Sequence, residues 1–135
     1  LASAADSEAM PAIEPVVSPE EIMAARKVVD EIYVDDKIKA YVIDLVHETR
    51  AGAASRLGLT GLVDFGASPR ATLGLVLCAK VSAFMAGRPY VTPQDVKDVA
   101  KNVLRHRIIL SFEAEAEELT PDTVVDRLLD GVKVP

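Results

Sequence analysis

Tryptophan is absent, cysteine occurs once, and the only other aromatic residues are three Phe and three Tyr. A lone Cys78 excludes an internal disulfide and fits a reducing compartment. Scarce aromatics leave the core to Val, Leu, Ile and Ala. Basic residues are outnumbered, 15 against 21, for a net charge of −6. That balance argues against general nucleic-acid binding, which needs a basic face for phosphates. The two histidines, His47 and His106, make no metal-ligand spacing with each other or with Cys78, so no metal site is expected. No long apolar run exists either. The longest, from Ala71 to Ala79, stops at Lys80, well short of the ~20 residues a membrane span needs. The N-terminus lacks the basic start and apolar run of a signal peptide. These absences predict a soluble, cytoplasmic chain. There is no G-x-x-x-x-G-K-[ST], no G-x-G-x-x-G, no Ser-His-Asp arrangement and no repeat of fixed period. No self-sufficient active site is expected.

What remains is a chain of 135 residues, 50% of them hydrophobic. That length is one domain, able to bury roughly two-thirds of the surface its unfolded chain exposes. Residues 1–17 are small, acidic and Pro-containing and read as a flexible N-terminal arm or linker. A start at Leu1 rather than Met suggests a fragment of a longer protein or a processed chain.

From residue 18 the hydrophobic period is helical. A first helix opens at Ser18, with Glu21 completing a capping box, Val17 stapling on Ile22, and Ile22, Ala25, Val29 and Ile32 sharing a face. A second, about 35–50, lines up Val34, Ile38, Tyr41, Val42, Leu45, Val46 and Thr49. Residues 51–66 form a connection with four glycines, long for a compact domain, in which Leu62 to Phe65 alternate like a short strand. A third helix, 69–86, is apolar nearly all round and ends at Gly87. Such a helix is central, with others wrapped about it. A fourth starts at Pro93, burying Val96, Val99, Ala100 and Val103, with Leu104 at the edge. Residues 113–118 read as an acidic loop, and a fifth helix runs from Pro121 to about Gly131. The expected fold is all-α, a bundle of about five helices around the third, with a minimal two-strand pairing of residues 32–34 with 90–91.

Four helices begin with Ser or Thr before Pro: Ser18-Pro19, Ser68-Pro69, Thr92-Pro93 and Thr120-Pro121, a strong start signal. Three of them place acid in the first turn (Glu20 and Glu21, Asp95, Asp122), which suits the positive end of the helix dipole. The fourth places Arg70 there. A cation at that end makes sense where an anion is supplied from elsewhere, held by Arg70 and the N–H groups following Ser68. The alternative is pairing with an acid such as Asp64, or plain solvation, since the dipole term is only ~0.3–1 kcal/mol at an exposed site. Two further surfaces have functional readings. Lys97, Lys101 and Arg105 form a basic stripe that would suit the second helix of a helix-turn-helix. The glutamates at 113, 115, 117 and 118 would suit a helical protein-interaction module.

The run Gly66-Ala67-Ser68-Pro69-Arg70-Ala71, opening an apolar helix, resembles the C-terminal lid of MoxR-type AAA+ ATPases. Three other stretches share the resemblance in the right order, over about residues 16–135. They are Val46-His47-Glu48-Thr49-Arg50, the run from Gly87-Arg88-Pro89-Tyr90 through Thr92-Pro93 to Val96, and Val103-Leu104-Arg105-His106-Arg107-Ile108. The resemblance implies a helical lid over residues 18–135, packed beside an ATP-binding core. It implies that Arg70 is the sensor-2 arginine, contacting the ATP γ-phosphate and supporting hydrolysis, with Ser68 beside it in the nucleotide site. It implies Mg²⁺ held by the core domain, a ring-shaped, typically hexameric assembly, and chaperone-like remodelling with von Willebrand factor A domain partners. The phosphate-cradling loop, Mg²⁺-binding acid and arginine finger of such proteins lie in that core, and this chain lacks them. Residues 51–59 are also longer and richer in small residues than the family pattern.

Overall fold

A computed structural model describes residues 14–50 and 55–135. Of the expected arm, residues 1–13 lie outside the described residues, as do residues 51–54 of the long connection. The described elements are α1 (Pro19–Glu31), α2 (Asp36–Glu48), β1 (Val63–Phe65), α3 (Arg70–Met85), α4 (Pro93–Leu104), β2 (Ile109–Leu110), α5 (Phe112–Ala116) and α6 (Pro121–Gly131), with a 3₁₀ turn at Arg105–Arg107 between α4 and β2. The all-α bundle is as expected, with one helix more than the pattern suggested.

Local chemistry explains most boundaries. Ser18 and Glu21 close a reciprocal capping box on α1, and Thr92 and Asp95 do the same on α4. Asp35 caps α2 and Thr120 caps α6. Helix α3 ends in a Schellman motif: Gly87 N–H donates to the Phe84 carbonyl and Arg88 N–H to the Ala83 carbonyl, both at 2.9 Å. Gly87 takes the φ of 68° that this turn requires. Helix α5 ends the same way, with Leu119 N–H on the Ala114 carbonyl, but its left-handed residue is Glu118. The acidic stretch is therefore not simply a loop. Ser111 caps a short helix there, and Ala114 anchors it in the core.

The core is aliphatic, as the composition requires. Helix α2 buries Ile38, Tyr41, Val42, Leu45 and Val46, flanked by Val34 and Thr49. Helix α4 buries Val96, Ala100 and Val103, and Leu104, expected at the edge, is fully enclosed. Helix α3 is the hub, packed on α1, α2 and α4. Its buried row is Ala71, Leu75, Ala79 and Ala83, an i, i+4 ridge of mostly small side chains. A Cβ on Gly74 would come within 3.3 Å of Val103, so α3 and α4 lie close together.

The wrapping of α3 is incomplete. Leu73 is 72% exposed and Met85 78%, with Leu77 and Val81 also open to solvent. Ile22 of α1, expected on that helix's packing face, is half exposed too. Cys78 is only half-buried, packed at the margin of the core rather than within it.

Tyr33 and Tyr90 form an isolated parallel bridge, as the expected 32–34 with 90–91 pairing requires. Tyr33 N–H donates to Pro89 at 2.9 Å, and Val91 N–H donates to Tyr33 at 3.0 Å. The sheet proper lies elsewhere: β1 pairs antiparallel with β2, Val63 opposite Leu110 and Phe65 opposite Ile109. This orders the later part of the long connection. Ser111 donates to the Gly61 carbonyl, Arg127 donates to the Gly58 carbonyl, and Leu59 is buried.

Candidate functional site

Arg70 stands at the N-terminal end of α3, and its geometry is set by the C-terminal end of α2. Thr49, at the C-cap of α2, is buried. Its hydroxyl donates to the Val46 carbonyl at 2.6 Å and accepts from the Ala67 N–H at 2.9 Å. Both bonds are enclosed, so neither is exchanged cheaply for water. Gly66 lets the two segments approach: a Cβ there would run into the Thr49 carbonyl oxygen and lie 2.7 Å from Cγ of Arg50. Ala67 and Ala71 are fully buried on either side of the turn. Arg70 therefore rises from a backbone pinned on both flanks.

Helix α3 starts one residue later than the Ser-Pro signal predicts, with Pro69 rather than Ser68 at its N-cap, and the Ser68 Oγ accepts from the Arg70 N–H at 3.0 Å just before it. The next two donors are also engaged: Ala71 N–H on the Ser68 carbonyl at 2.8 Å and Thr72 N–H on the Pro69 carbonyl at 3.1 Å. The N–H groups expected to share an anion with Arg70 are thus spent within a tight first turn. Anion binding here falls to side chains.

Those side chains line a cleft of about 450 Å³ bounded by Thr49, Arg50, Asp64, Phe65, Ser68 and Arg70, among others. Arg70 is exposed, and among the described residues its guanidinium has no ion pair or hydrogen bond; the pairing with Asp64 that the sequence also allowed is not formed. Arg50, which lines the same cleft, was not singled out from the sequence. Its only signal was a place in one of the resembling stretches.

The basic stripe is differently employed. Lys101 pairs with Asp126 at 2.7 Å, and Arg105 lies 3.0 Å from Asp122, both acids belonging to α6. Arg105 directs its Nε–H to the Lys101 carbonyl, so its contact with Asp122 is coulombic rather than a hydrogen bond. These pairs are exposed and each contributes at most about 1 kcal/mol. They engage Lys101 and Arg105 with α6, while Lys97, the third residue of the stripe, is in no ion pair among the described residues. The glutamates of the acidic stretch all face solvent. Among the described residues, no cluster of three His, Cys, Asp or Glu side chains could hold a metal ion, and no helix is long and apolar enough to cross a membrane.

Arg88 and Asp95 form the strongest ion pair in the fold. Arg88 binds the buried Asp95 carboxylate in bidentate fashion at 2.8 and 2.6 Å, and Thr92 donates to the same carboxylate through N–H and hydroxyl, each at 2.7 Å. The hydrogen bonds from Arg88, joined by those from Thr92 and Ser82, hold the Asp95 carboxyl well below the usual carboxylate range, against burial, which pushes it up. This pair ties the turn after α3 to the start of α4. It is structural and lies outside the Arg70 cleft.

The AAA lid domain family matches residues 47–128. The chain belongs to that family, and within it to the lids of MoxR-type AAA+ ATPases. It is 36% identical over 128 residues to chaperone MoxR1 of Mycobacterium tuberculosis, covering 93% of this chain and 33% of that protein. It is 37% identical over 105 residues to the MoxR protein of Paracoccus denitrificans, covering 73% and 31%. A solved structure of a candidate ATPase from Cytophaga hutchinsonii superposes with a TM-score of 0.82 at 33% identity, covering 90% of this chain and 37% of that one. The chain spans about a third of the length of these relatives.

Proposed function

We propose that this lid contributes a sensor-2 arginine, Arg70, to ATP hydrolysis by the AAA+ protein of which it is part. The observation that carries this reading is an arginine without an intramolecular partner, mounted on the backbone that Thr49 and Gly66 hold. A guanidinium carried on a backbone held in that way offers planar, charge-assisted hydrogen bonds to the γ-phosphate oxygens. Stabilising the charge that spreads over those oxygens is the main protein contribution to phosphoryl transfer. Loss of the phosphate removes the arginine's partner, and the lid is then free to shift. Ser68 supports the site by capping the turn beneath Arg70, and its remaining hydroxyl proton is available to a phosphate oxygen.

In this reading ATP and Mg²⁺ are held chiefly by the ATP-binding core that accompanies such lids. The partners are that core, further copies in a ring, typically a hexamer, and von Willebrand factor A domain proteins. The output is chaperone-like remodelling in the cytoplasm, and the chaperone name of the Mycobacterium tuberculosis relative supports that direction. Residues 1–17 serve as the linker into residues 18–135.

The test is Arg70→Ala in the full-length ATPase. Turnover should fall by about 10²–10³-fold, the scale of losing one preorganised donor at a developing charge, with the thermal unfolding midpoint unchanged. Turnover near wild type in a folded variant would remove Arg70 from the mechanism.

A further inference from the structure

We infer that Arg50 is a second phosphate-contacting residue, acting with Arg70 on the same terminal phosphate group. This rests on the Arg70 reading above. The arginines elsewhere in the chain mostly have employment. Arg88 binds Asp95, Arg105 sits beside Asp122, Arg107 donates to the Val103 carbonyl and Arg127 to the Gly58 carbonyl. Arg26 touches only the Met23 sulfur, and Arg56 lines a separate cleft with Leu57 and Lys133. Arg50 and Arg70 alone, among the described residues, meet in one cleft with neither guanidinium in an ion pair. Two cations without ion pairs thus line one cleft in a chain whose net charge is −6. Asp64 lines the same cleft but approaches neither within ion-pair distance.

Their relative position is built in. Arg50 follows Thr49, whose hydroxyl holds Ala67, and the Arg50 stem lies against Gly66, a position where a Cβ would sit 2.7 Å from its Cγ. Arg70, the first residue of α3, follows Ala67 by three residues. The side-chain-less glycine thus carries one arginine across the backbone that presents the other. Two guanidinium groups lining one cleft repel each other, and negative charge brought into that cleft relieves the repulsion. A terminal phosphate supplies that charge and three acceptor oxygens, enough for both forks. ADP lacks the γ-phosphate, whose position the pair addresses, so the pair reads the triphosphate against the diphosphate.

The test uses the full-length ATPase and measures affinity for a non-hydrolysable ATP analogue and for ADP. Arg50→Met keeps an apolar stem over Gly66 and removes the charge. It should weaken analogue binding about tenfold or more and leave ADP within about twofold, the scale of one charge-assisted hydrogen bond. Arg50→Lys should recover part of the loss. Arg50→Gln, with the same expectation, replaces Arg50→Met if that variant does not fold. Wild-type analogue affinity in Arg50→Met beside impaired Arg70→Ala overturns the role of Arg50 and leaves that of Arg70 standing. Equal losses for analogue and ADP also overturn it, because they assign Arg50 to the scaffold. Wild-type behaviour of both variants removes the phosphate reading of the whole cleft.

Discussion

The Thr49 hydroxyl accepts a hydrogen bond from the Ala67 N–H at 2.9 Å, joining the end of α2 to the turn that starts α3 across a separation of 18 residues. Both groups are buried, and the same hydroxyl donates its proton to Val46. Thr49→Val keeps the shape and strands the Ala67 N–H without a partner. It should cost about 1–3 kcal/mol in denaturant unfolding, the penalty of an unsatisfied buried donor, and should lower ATP turnover of the full-length protein through misplacement of Arg70. Thr49→Ser should retain most of both. A Thr49→Val protein as stable as wild type would mean the bond positions nothing.

The charge pair after α3 predicts a pH dependence. Asp95 is depressed in the fold relative to its unfolded value near 3.9. Its contribution to stability is therefore complete above about pH 4 and is lost as the pH falls below that, toward the depressed folded value. Thermal unfolding midpoints measured from about pH 7 downward should hold and then drop in the acid range. Asp95→Asn should be destabilised at neutral pH by about 3 kcal/mol, because it leaves Arg88 uncompensated and opens the α4 capping box, and its acid drop should be shallower. Parallel curves for the two proteins would show that Asp95 is not the titrating group.

Two leucines one half-turn apart on α3 should respond oppositely. Leu75 is fully enclosed in the row that meets α4, whereas Leu73 is 72% exposed. Leu75→Ala should cost about 3–5 kcal/mol as a core cavity; Leu73→Ala should stay within about 0.5 kcal/mol. Denaturant midpoints of the two variants check this directly. Equal losses would mean that α3 is buried on both faces.

Several features of this molecule were legible residue by residue. The capping boxes of Ser18 with Glu21 and Thr92 with Asp95 involve partners three residues apart, so the chain states them outright. The helical faces of α2 and α4 follow from a period that any core imposes. The Tyr33 to Tyr90 bridge was readable too, because short extended segments flank strong helix starts at both places. Helix α5 was not readable as a helix: it is short and acidic, and it stops at Glu118 rather than at a glycine. The pairing of Val63–Phe65 with Ile109–Leu110 joins segments far apart in the chain, and no local signal names the partner.

By itself, then, the sequence determined the helical bundle, its caps and the anomaly of Arg70 at a helix start, since these depend on side chains within a turn or two of one another. Only the tertiary structure decided what surrounds that arginine. Packing α2 against α3 spends the Ala67 N–H on Thr49, leaves Asp64 outside ion-pair distance, and lays the Arg50 stem against Gly66 in the cleft that Arg70 also lines. Packing also decided which face of an all-apolar helix stays bare. The small side chains of Ala71, Ala79 and Ala83 permit the close approach to α4, and Leu73, Leu77, Val81 and Met85 are left facing outward. Both outcomes depend on backbone separations of a few ångströms between distant segments, which hydrophobic period alone does not encode.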